Sequence, residues 1–468
     1  MAASISYSGQ RHIARAAGGG KRFLSFFAGI WLALYAPMAQ AASLIQDAEL
    51  EDTLRRFAAP ILDQAGLNPR AVRIFMVNDP AINAFVAGGS NIFVNTGLMM
   101  ATRDAGMLVG VLAHETGHIS GGHLIRGKQE MSGANVGLLI STVLGAAAAI
   151  AGGGQAAMGA MAAGQNAAMK SMLAFTRTQE SAADQAALRF LDGADMSATG
   201  MLEMFEVLRQ KETRQFGTYD PYALTHPLTQ DRITHIRTHV MQSTIAKDKL
   251  PADFELRHAR LVAKLRGFMD APEYTLASYP TKDQSLPAHM ARGVAYFRQS
   301  QLPKALAEMD AADALSPNDA YLFDLRGQIL FESGRVKEAV TSYGRAIALK
   351  PDQPSLQTDY GRALLALEDA SRLKEATKAL ERATSRDADN AQAWEMLAIA
   401  YGKQSMMERS VLAQAEAAVL RNQPERALAL LKRAQPKLTR DTPLALRAED
   451  LRSLAEEQNK AKKDEKGS

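Results

Sequence analysis

The chain has 468 residues, of which 47% are hydrophobic and 22% are charged, and its net charge is +4. This length predicts two or three domains with a sizeable core. The small net charge, without a clustered basic face, argues against a nucleic-acid-binding protein. The chain has no cysteine, which excludes disulfide frameworks, thiolate zinc sites and cysteine nucleophiles. Any metal must therefore be bound by nitrogen and oxygen ligands.

Residues 1–41 have the three parts of an export signal. Basic residues precede the apolar run FLSFFAGIWLALYAPM, and this run leads to Ala39-Gln40-Ala41, a small-x-small cleavage site. We predict a signal peptide that is cleaved after Ala41. A retained membrane anchor is the alternative, because the run is only slightly shorter than a membrane span. Export without a disulfide framework favours the bacterial periplasm.

Residues 42–245 are expected to form one domain. Apolar residues at spacings of three and four predict a helix up to about residue 70. The stretches VRIFMVND and NAFVAGGSNIFVNTGLM are rich in β-branched and aromatic residues and contain turn residues, so they predict short strands. The next stretch, RDAGMLVGVLAHETGH, predicts a buried helix.

Residues 131–169 contain no charged side chain. A transmembrane helix is one interpretation, but the continuous apolar core from Val136 to Ala151 is shorter than the roughly 20 residues of a span. If residues on both sides of the segment share one site, an odd number of membrane crossings is also forbidden. We favour a Gly/Ala-rich mobile cover or an interfacial hairpin, with peripheral membrane contact.

Residues 287–435 contain a repeat. A set of Gly, Ala, Ala and Pro positions recurs 34 residues later: Gly293, Ala305, Ala312 and Pro317 match Gly327, Ala339, Ala346 and Pro351. Small residues where two helices approach closely, with a proline after the second helix, are typical of tetratricopeptide repeats. A generic Ala/Leu-rich bundle predicts no such register. We therefore predict a repeat domain over residues 287–440, which offers a protein-binding surface.

Two segments flank the repeats. Residues 246–286 combine a helical stretch, HARLVAKLRGF, with a stretch rich in turn residues, SYPTKDQSLPAH, and are interpreted as a linker. Residues 441–468 end in the charged sequence EEQNKAKKDEKGS, which predicts a disordered tail.

The predicted buried helix carries the motif His114-Glu115-Thr116-Gly117-His118. Residues four apart lie on one face of a helix, so both imidazoles can reach a single cation. Glu115 is turned about 100° from His114 and can flank the metal as a general base that activates water. The alternative is a buried helix that carries these residues by chance. Buried ionisable groups are costly, however, unless they are ligated or paired.

Catalytic zinc usually takes three protein ligands, so two histidines are too few. His123 is the nearer candidate for the third. The metzincin pattern H-E-x-x-H-x-x-G-x-x-H places its last histidine at position 124, where this chain has Leu124. His123 also follows a glycine pair that should end the helix. We interpret His123 as a residue without a role at the metal or as a residue that contacts the ligands from behind.

Glu180 and Asp184 are the more distant candidates, four residues apart in RTQESAADQAALRF. Small residues on the same predicted helix permit close packing against the first helix. Glu180 can complete a two-His, one-Glu site, and Asp184 can accept the free N–H of a ligating histidine. A solvated acidic pair is the alternative. The preceding H-E-x-x-H favours the metal site.

H-E-x-x-H followed by E-x-x-x-D resembles the gluzincin metalloproteases of the CAAX prenyl endopeptidase and HtpX-like family. The stretch NAFVAGGSNIFVNTGLM resembles that family's segment in which an exposed strand binds the substrate backbone by β-addition. THPLTQDRI resembles its downstream His-Pro…Arg loop. With the signal peptide and the repeats, the chain resembles in particular the BepA-like periplasmic zinc metalloproteases, which act in outer-membrane protein quality control.

The resemblance implies a fold class and a set of roles. The fold is mainly α, with an α+β zincin-type protease domain that contains a small sheet, followed by an α-solenoid. One Zn²⁺ per chain is expected, with Glu115 as the general base and Asp184 behind the ligands. The implied zinc ligands are His114, His118 and Glu180.

Two further residues have roles only through the resemblance. His226 is expected in a loop near the metal, where it stabilises the oxyanion or occupies the open metal position in a latent state. Arg232 is expected to face the developing negative charge. The simpler alternatives are a turn histidine before Pro227 and an ordinary arginine at the start of a helix.

The resemblance implies a zinc-dependent endopeptidase that hydrolyses misfolded or stalled envelope proteins in the periplasm, in association with the outer membrane. Its partners would be polypeptide substrates and a protein bound by the repeats, such as an outer-membrane assembly complex. The alternative is a chaperone or adaptor for that complex with a mostly latent protease site. A membrane-embedded prenyl-type protease is disfavoured by the single short apolar segment.

Overall fold

The computed structural model describes residues 43–123, 177–214, 226–434 and 442–467. The predicted signal peptide and the uncharged segment 131–169 lie outside these residues. Within the described ranges, no helix has both the length and the apolar character that a membrane crossing requires.

A four-stranded sheet lies at the start of the described chain. Its strands are β1 (Ser43–Ile45), β2 (Arg73–Asn78), β3 (Ala84–Ala87) and β4 (Asn91–Asn95), in the order β1-β2-β4-β3. The β2–β4 pair is parallel and the other two pairs are antiparallel. Gly88 and Gly89 form the turn between β3 and β4 with φ values of +59° and +94°, which glycine adopts without steric cost.

One face of this sheet packs on helices. They are α1 (Ala48–Gln64), α2 (Thr96–Ala101), α3 (Ala105–Ser120), α4 (residues 177–193), α5 (Thr199–Arg214) and α6 (Gln230–Gln242). Phe57 of α1, Leu112 of α3 and Phe205 of α5 are fully buried in the shared core. Helices α3 and α5 meet at Gly106 and Gly200, where an added Cβ on Gly200 would lie 2.1 Å from the Gly106 carbonyl carbon. This contact places α3 in the centre of the domain.

The C-terminal half consists of antiparallel helix pairs. Gly327 and Gly361, which recur in the sequence repeat, lie where the two helices of a pair touch, because a Cβ there would meet Tyr343 or Leu380 within 2.7 Å. The helices are α9 (Leu286–Arg298), α10 (Leu302–Leu315), α11 (Ala320–Glu332), α12 (Val336–Leu349), α13 (Pro354–Ala366), α14 (Leu373–Arg386), α15 (Ala391–Lys403), α16 (Met407–Leu420) and α17 (Pro424–Ala434). The predicted fold class is confirmed.

In the segment interpreted as a linker, the stretch that was predicted to be helical lies within α7 (Phe254–Met269), and a second helix, α8 (Pro272–Ser278), follows it. Phe254 and Leu261 of α7 lie in the core of the first domain, whereas Phe268 lies in the core of the first repeats. Lys264 is buried and its Nζ lies 2.7 Å from Asp47 Oδ2. The polar residues of this segment are paired across the two halves, so α7 is a structural element shared by both.

The tail differs from its prediction. Residues 443–467 form helix α18 (Pro443–Gly467). Ala448, Leu451 and Ala455 are buried against Leu412 and Leu431 of the last repeats. The spacing of these small apolar residues gives the charged helix one apolar face, and that face covers the end of the solenoid.

Candidate metal centre

His114 and His118 lie one turn apart on α3 and both are buried. Asp104 caps this helix by accepting a hydrogen bond from the Met107 N–H at 2.9 Å, and apolar side chains surround its middle turns. The two Nε2 atoms are 3.1 Å apart. The i, i+4 spacing therefore directs both imidazoles to one point, as predicted for a shared cation.

Helix α4 brings Glu180 to the same point. Gly117 makes this possible, because a Cβ at Gly117 would lie 2.5 Å from the Ala183 carbonyl oxygen. Glu180 Oε2 lies 3.3 Å from His114 Nε2, and Oε1 lies 3.2 Å from His118 Nε2. Glu180 is 1% exposed. Glycine on one helix and alanine on the other thus let the carboxylate reach both rings.

His226 is the fourth member of this cluster. It lies just before α6, and its Nδ1 is 3.3 Å from His114 Nε2 and 3.2 Å from Glu180 Oε1. One ligand atom from each of His114, His118, Glu180 and His226 lies within 4.8 Å of the others. The residue was expected near the metal through the resemblance alone, and the structure places its ring nitrogen among the other candidate ligand atoms.

The spacing of these atoms fits a small tetrahedral cation. Zinc–nitrogen and zinc–oxygen bonds of about 2.0–2.2 Å correspond to ligand-to-ligand distances of roughly 3.3–3.6 Å in a tetrahedron. The distances from His114 Nε2 to His118, His226 and Glu180 are 3.1–3.3 Å, and Glu180 lies 3.2 Å from His118. Three imidazole nitrogens and one carboxylate are ligands that zinc accepts.

Asp184 and Arg232 lie behind the ligands. Asp184 Oδ1 accepts from His114 Nδ1 at 2.9 Å, which leaves Nε2 directed at the cluster. Arg232 donates to both Asp184 oxygens, and its Nη1 lies 2.9 Å from Glu180 Oε2 and 2.8 Å from the Pro227 carbonyl oxygen. The guanidinium of Arg232 therefore holds two carboxylates and the His226 loop together.

Glu115 lies beside the cluster and is 0% exposed. Among the described residues, neither of its carboxylate oxygens has a hydrogen-bond partner. The His226 ring lies close by, with Nε2 3.7 Å from Oε1. A buried carboxylate without a hydrogen bond is costly, and such a group in a folded protein requires an explanation.

The electrostatics of the cluster favour bound positive charge. Burial alone would lower the pKa of His114, but hydrogen bonds to Asp184 and Glu180 reverse this and raise it to about 10. Burial would raise the pKa of Glu180, yet hydrogen bonds from His114, His118 and His226 hold it far below its usual range. Burial lowers the pKa of His118. These carboxylates stabilise a proton on His114, and a divalent cation would take its place.

Two further residues, His123 and Phe205, contact the side chains of the cluster. His123 Nδ1 lies 3.0 Å from His118 Nδ1, the nitrogen that faces away from the cluster, so His123 contacts a candidate ligand from behind. Phe205 of α5 packs edge-on against His114 and lies under the Arg232 guanidinium. Sequence reasoning did not identify Phe205, because an apolar residue in a helix gives no signal that separates it from the rest of the core.

A buried H-E-x-x-H helix, joined by a glutamate from a second helix, defines a metallopeptidase site. Residues 45–240 match the family model for peptidase family M48. Residues 290–426 match the model for the cytochrome c-type biogenesis protein H TPR domain, and residues 256–320 match a tetratricopeptide-repeat model. The chain therefore combines a metallopeptidase domain that matches family M48 with C-terminal tetratricopeptide repeats.

The chain is similar to several known proteases. The chain is 24% identical over 401 residues to the beta-barrel assembly-enhancing protease of Escherichia coli K12, covering 84% of this chain and 80% of that protein. The protease of the same name from Yersinia pestis is 24% identical over 414 residues, covering 86% and 82%. The metalloprotease LoiP of Escherichia coli K12 is 31% identical over 173 residues, 36% of this chain and 62% of that protein.

Solved structures align with a smaller part of the chain. The tetratricopeptide-repeat protein YrrB is 20% identical with a TM-score of 0.31, over 37% of this chain and 91% of that chain. The repeat assignment rests instead on the family models and on the helix pairs themselves.

Proposed function

We propose that the protein is a zinc-dependent endopeptidase of the periplasm that hydrolyses misfolded or stalled envelope proteins in outer-membrane protein quality control. The observation that carries this proposal is the convergence of His114, His118 and Glu180 beside Glu115, whose two oxygens have no partner among the described residues. The signal-peptide sequence and the names of the relatives support the compartment and the process.

The proposed roles follow from the geometry. When bound to His114, His118 and Glu180, zinc would supply a Lewis acid for the scissile carbonyl and for a water molecule. Glu115 accepts the water proton and then delivers it to the leaving amine. Its buried position keeps the carboxylate close to its reaction partner and away from bulk water. Asp184 and Arg232 fix the orientation of His114 and Glu180.

His226 is proposed to hold the site in a latent state. Zinc with three protein ligands keeps one position for water or substrate, and His226 Nδ1 already lies at hydrogen-bond distance from two of the ligand side chains. Withdrawal of the loop that carries His226 would open this position. Arg232 links the loop to the site through the Pro227 carbonyl oxygen.

Strand β3 is proposed to bind substrate. In the described part of the chain, β3 pairs with β4 on one side only. Its other edge presents backbone donors and acceptors to an extended polypeptide, which can add as a further strand. Such binding requires an unfolded or locally opened segment and suits a protease that acts on misfolded proteins.

The repeats are proposed to bind a protein partner, such as an outer-membrane assembly complex. Repeat arrays offer extended surfaces for such contacts, and the relatives are named for beta-barrel assembly. A second function is favoured by the position of His226: a chaperone or adaptor whose protease site is mostly latent.

Metal analysis and proteolysis test the proposed activity. The purified wild type should bind one zinc per chain and cleave unfolded casein. The Glu180→Ala variant should lose the zinc, whereas Glu203→Ala, which removes a half-buried glutamate of α5 that pairs with Arg103, should retain it. Unchanged zinc in Glu180→Ala would refute the ligand assignment.

The Glu115→Gln variant separates the two proposed functions in a cell. A protease function requires that this variant loses casein cleavage and also fails to rescue an envelope defect in a strain that lacks the protein. Full rescue by an inactive Glu115→Gln variant would instead make the chaperone or adaptor the main function.

A further inference from the structure

Three phenylalanine rings form a stack across the outer face of the sheet. Phe75 of β2 pairs with Phe93 of β4, and Phe93 pairs with Phe85 of β3. The ring centroids are 5.1 Å apart in both pairs, with interplanar angles of 19° and 10°. We name Phe75, Phe93 and Phe85 the phenylalanine ladder. Its spacing follows the distance between neighbouring strands.

The ladder is not part of the protein core. Side chains alternate between the two faces of a strand, and the opposite face is buried through Met76, Ala84, Ile92 and Val94. All three ladder rings are partly exposed. None of them belongs to a hydrophobic cluster of the described residues. Antiparallel sheets that face water normally carry polar residues outside, so a row of aromatic rings there requires another explanation.

The two ends of the ladder differ. At the β2 end the Arg73 guanidinium covers Phe75, with 4.9 Å between Cζ and the ring centroid. Arg73 also pairs with Asp387 and Asp389, which lie between α14 and α15 of the repeats. At the other end, Phe85 lies on β3, the strand that is proposed to receive substrate. The Arg73 guanidinium covers one end of the ladder, and the other end lies on a strand edge that no described strand pairs with.

We propose that Phe85 determines the side-chain preference at one substrate position. A polypeptide that adds to β3 places the residue opposite Phe85 on the same face, with Cβ atoms about 4.5–5.5 Å apart. An aromatic side chain there becomes a fourth rung of the ladder and stacks on Phe85. The protein therefore prefers extended segments with an aromatic residue at this position.

This inference rests on the proposed role of β3 in the peptidase, and a binding experiment without hydrolysis tests it. Two peptides of about ten residues are compared, identical except that one carries a single Phe where the other carries Thr. Their dissociation constants are measured by fluorescence anisotropy with the Glu115→Gln protein, then with the same protein carrying Phe85→Thr. Threonine is suitable because it keeps a high strand propensity.

The Phe peptide should bind about fivefold more tightly than the Thr peptide, from the typical free energy of one aromatic pair. In Phe85→Thr this difference should disappear. In Phe75→Thr, which removes a ring at the opposite end of the ladder, it should persist. The proposal is overturned if neither peptide binds, if the preference survives Phe85→Thr, or if Phe75→Thr removes it equally.

The outcomes also separate this inference from the proposed activity. A protein that cleaves casein but shows no coupling between Phe85 and the peptide ring remains a peptidase without this preference. A protein that shows the coupling but cleaves nothing has the subsite without the proposed hydrolysis.

Discussion

Arg232 binds Asp184 through two parallel hydrogen bonds, from Nε to Oδ2 at 2.6 Å and from Nη2 to Oδ1 at 2.8 Å. The same carboxylate accepts from His114 Nδ1. Asp184 thus joins an arginine of α6 to a candidate ligand on α3. Because all three side chains are buried, this arrangement is rigid and leaves His114 Nε2 directed at the metal position.

Replacement of Asp184 by Asn should lower zinc affinity by about 10- to 100-fold, because His114 loses the partner that fixes its ring. Competition with a chromophoric chelator measures the affinity. Asp192→Asn is the matched control, since Asp192 lies on the same helix and pairs with His239 at the surface. Equal affinities of Asp184→Asn and the wild type would show that the contact does not orient the ligand.

Replacement of Glu115 by Gln should reduce casein cleavage by at least about 100-fold while zinc remains bound, because Gln cannot accept a proton from water. The melting temperature should stay the same or rise, since the variant no longer buries a carboxylate without hydrogen bonds. Parallel metal analysis and thermal unfolding check both results. Loss of zinc from this variant would assign Glu115 to the metal instead.

Replacement of His226 by Ala should increase the rate of casein cleavage if His226 holds the site latent, because the fourth metal position becomes free for water or substrate. Zinc should remain bound through the other three ligands. His235→Ala, at an exposed position of α6, should leave the rate unchanged. A slower His226→Ala enzyme with zinc bound would instead favour the oxyanion role.

Replacement of Gly117 by Ala should destabilise the protein by about 1–3 kcal/mol and lower zinc occupancy. The new methyl group would overlap Ala183 and separate α3 from α4. Gly344→Ala serves as the control, because its Cβ would meet only Tyr360 at 3.6 Å, and alanine favours the helix. Urea unfolding and metal analysis measure both effects. Full occupancy in Gly117→Ala would show that the helices can move apart without loss of the site.

Replacement of Glu51 by Gln should stabilise the protein at neutral and alkaline pH but not at acidic pH. Burial raises the pKa of Glu51 from 4.5 to about 7, with Arg55 opposing and Asp387 adding to the shift. Because the folded pKa is raised, the stability from the protonated form is complete below pH 4.5 and is lost as pH rises through 7. At pH 8.5 the variant should gain about 2 kcal/mol.

At pH 4 the same variant should match the wild type, and urea unfolding at both pH values tests the difference. Glu338→Gln, at an exposed position of α12, should show no such pH dependence. A pH-independent gain in Glu51→Gln would exclude titration of Glu51 as the cause.

The site could be predicted from sequence where helix periodicity fixes geometry. His114 and His118, like Glu180 and Asp184, are four residues apart, so each pair had to share a face. His226 could not be placed this way, because a loop before a helix has no period. It was expected only through resemblance to a family.

Features that depend on contacts between distant segments were not predicted. The ladder requires the strand order β1-β2-β4-β3 and a parallel β2–β4 pair. Neither feature can be predicted from the local pattern of residues along the sequence. The segment with Arg260 and Lys264 was interpreted as part of a linker because its helical stretch is followed by SYPTKDQSLPAH, which is rich in turn residues. Its charges are matched by Asp47, Glu49 and Asp319 from both halves of the molecule, which only the assembled fold reveals.

Helix α7 gives the molecule no free hinge between its halves. Its first two turns touch the start of α3, where Glu255 accepts from the Ala105 N–H and His258 contacts Thr102, and its last turn is buried in the first repeats. A helix of 16 residues is about 24 Å long. The first repeats are therefore joined to the base of the helix that carries His114 and His118 by one continuous, packed helix and not by an exposed linker.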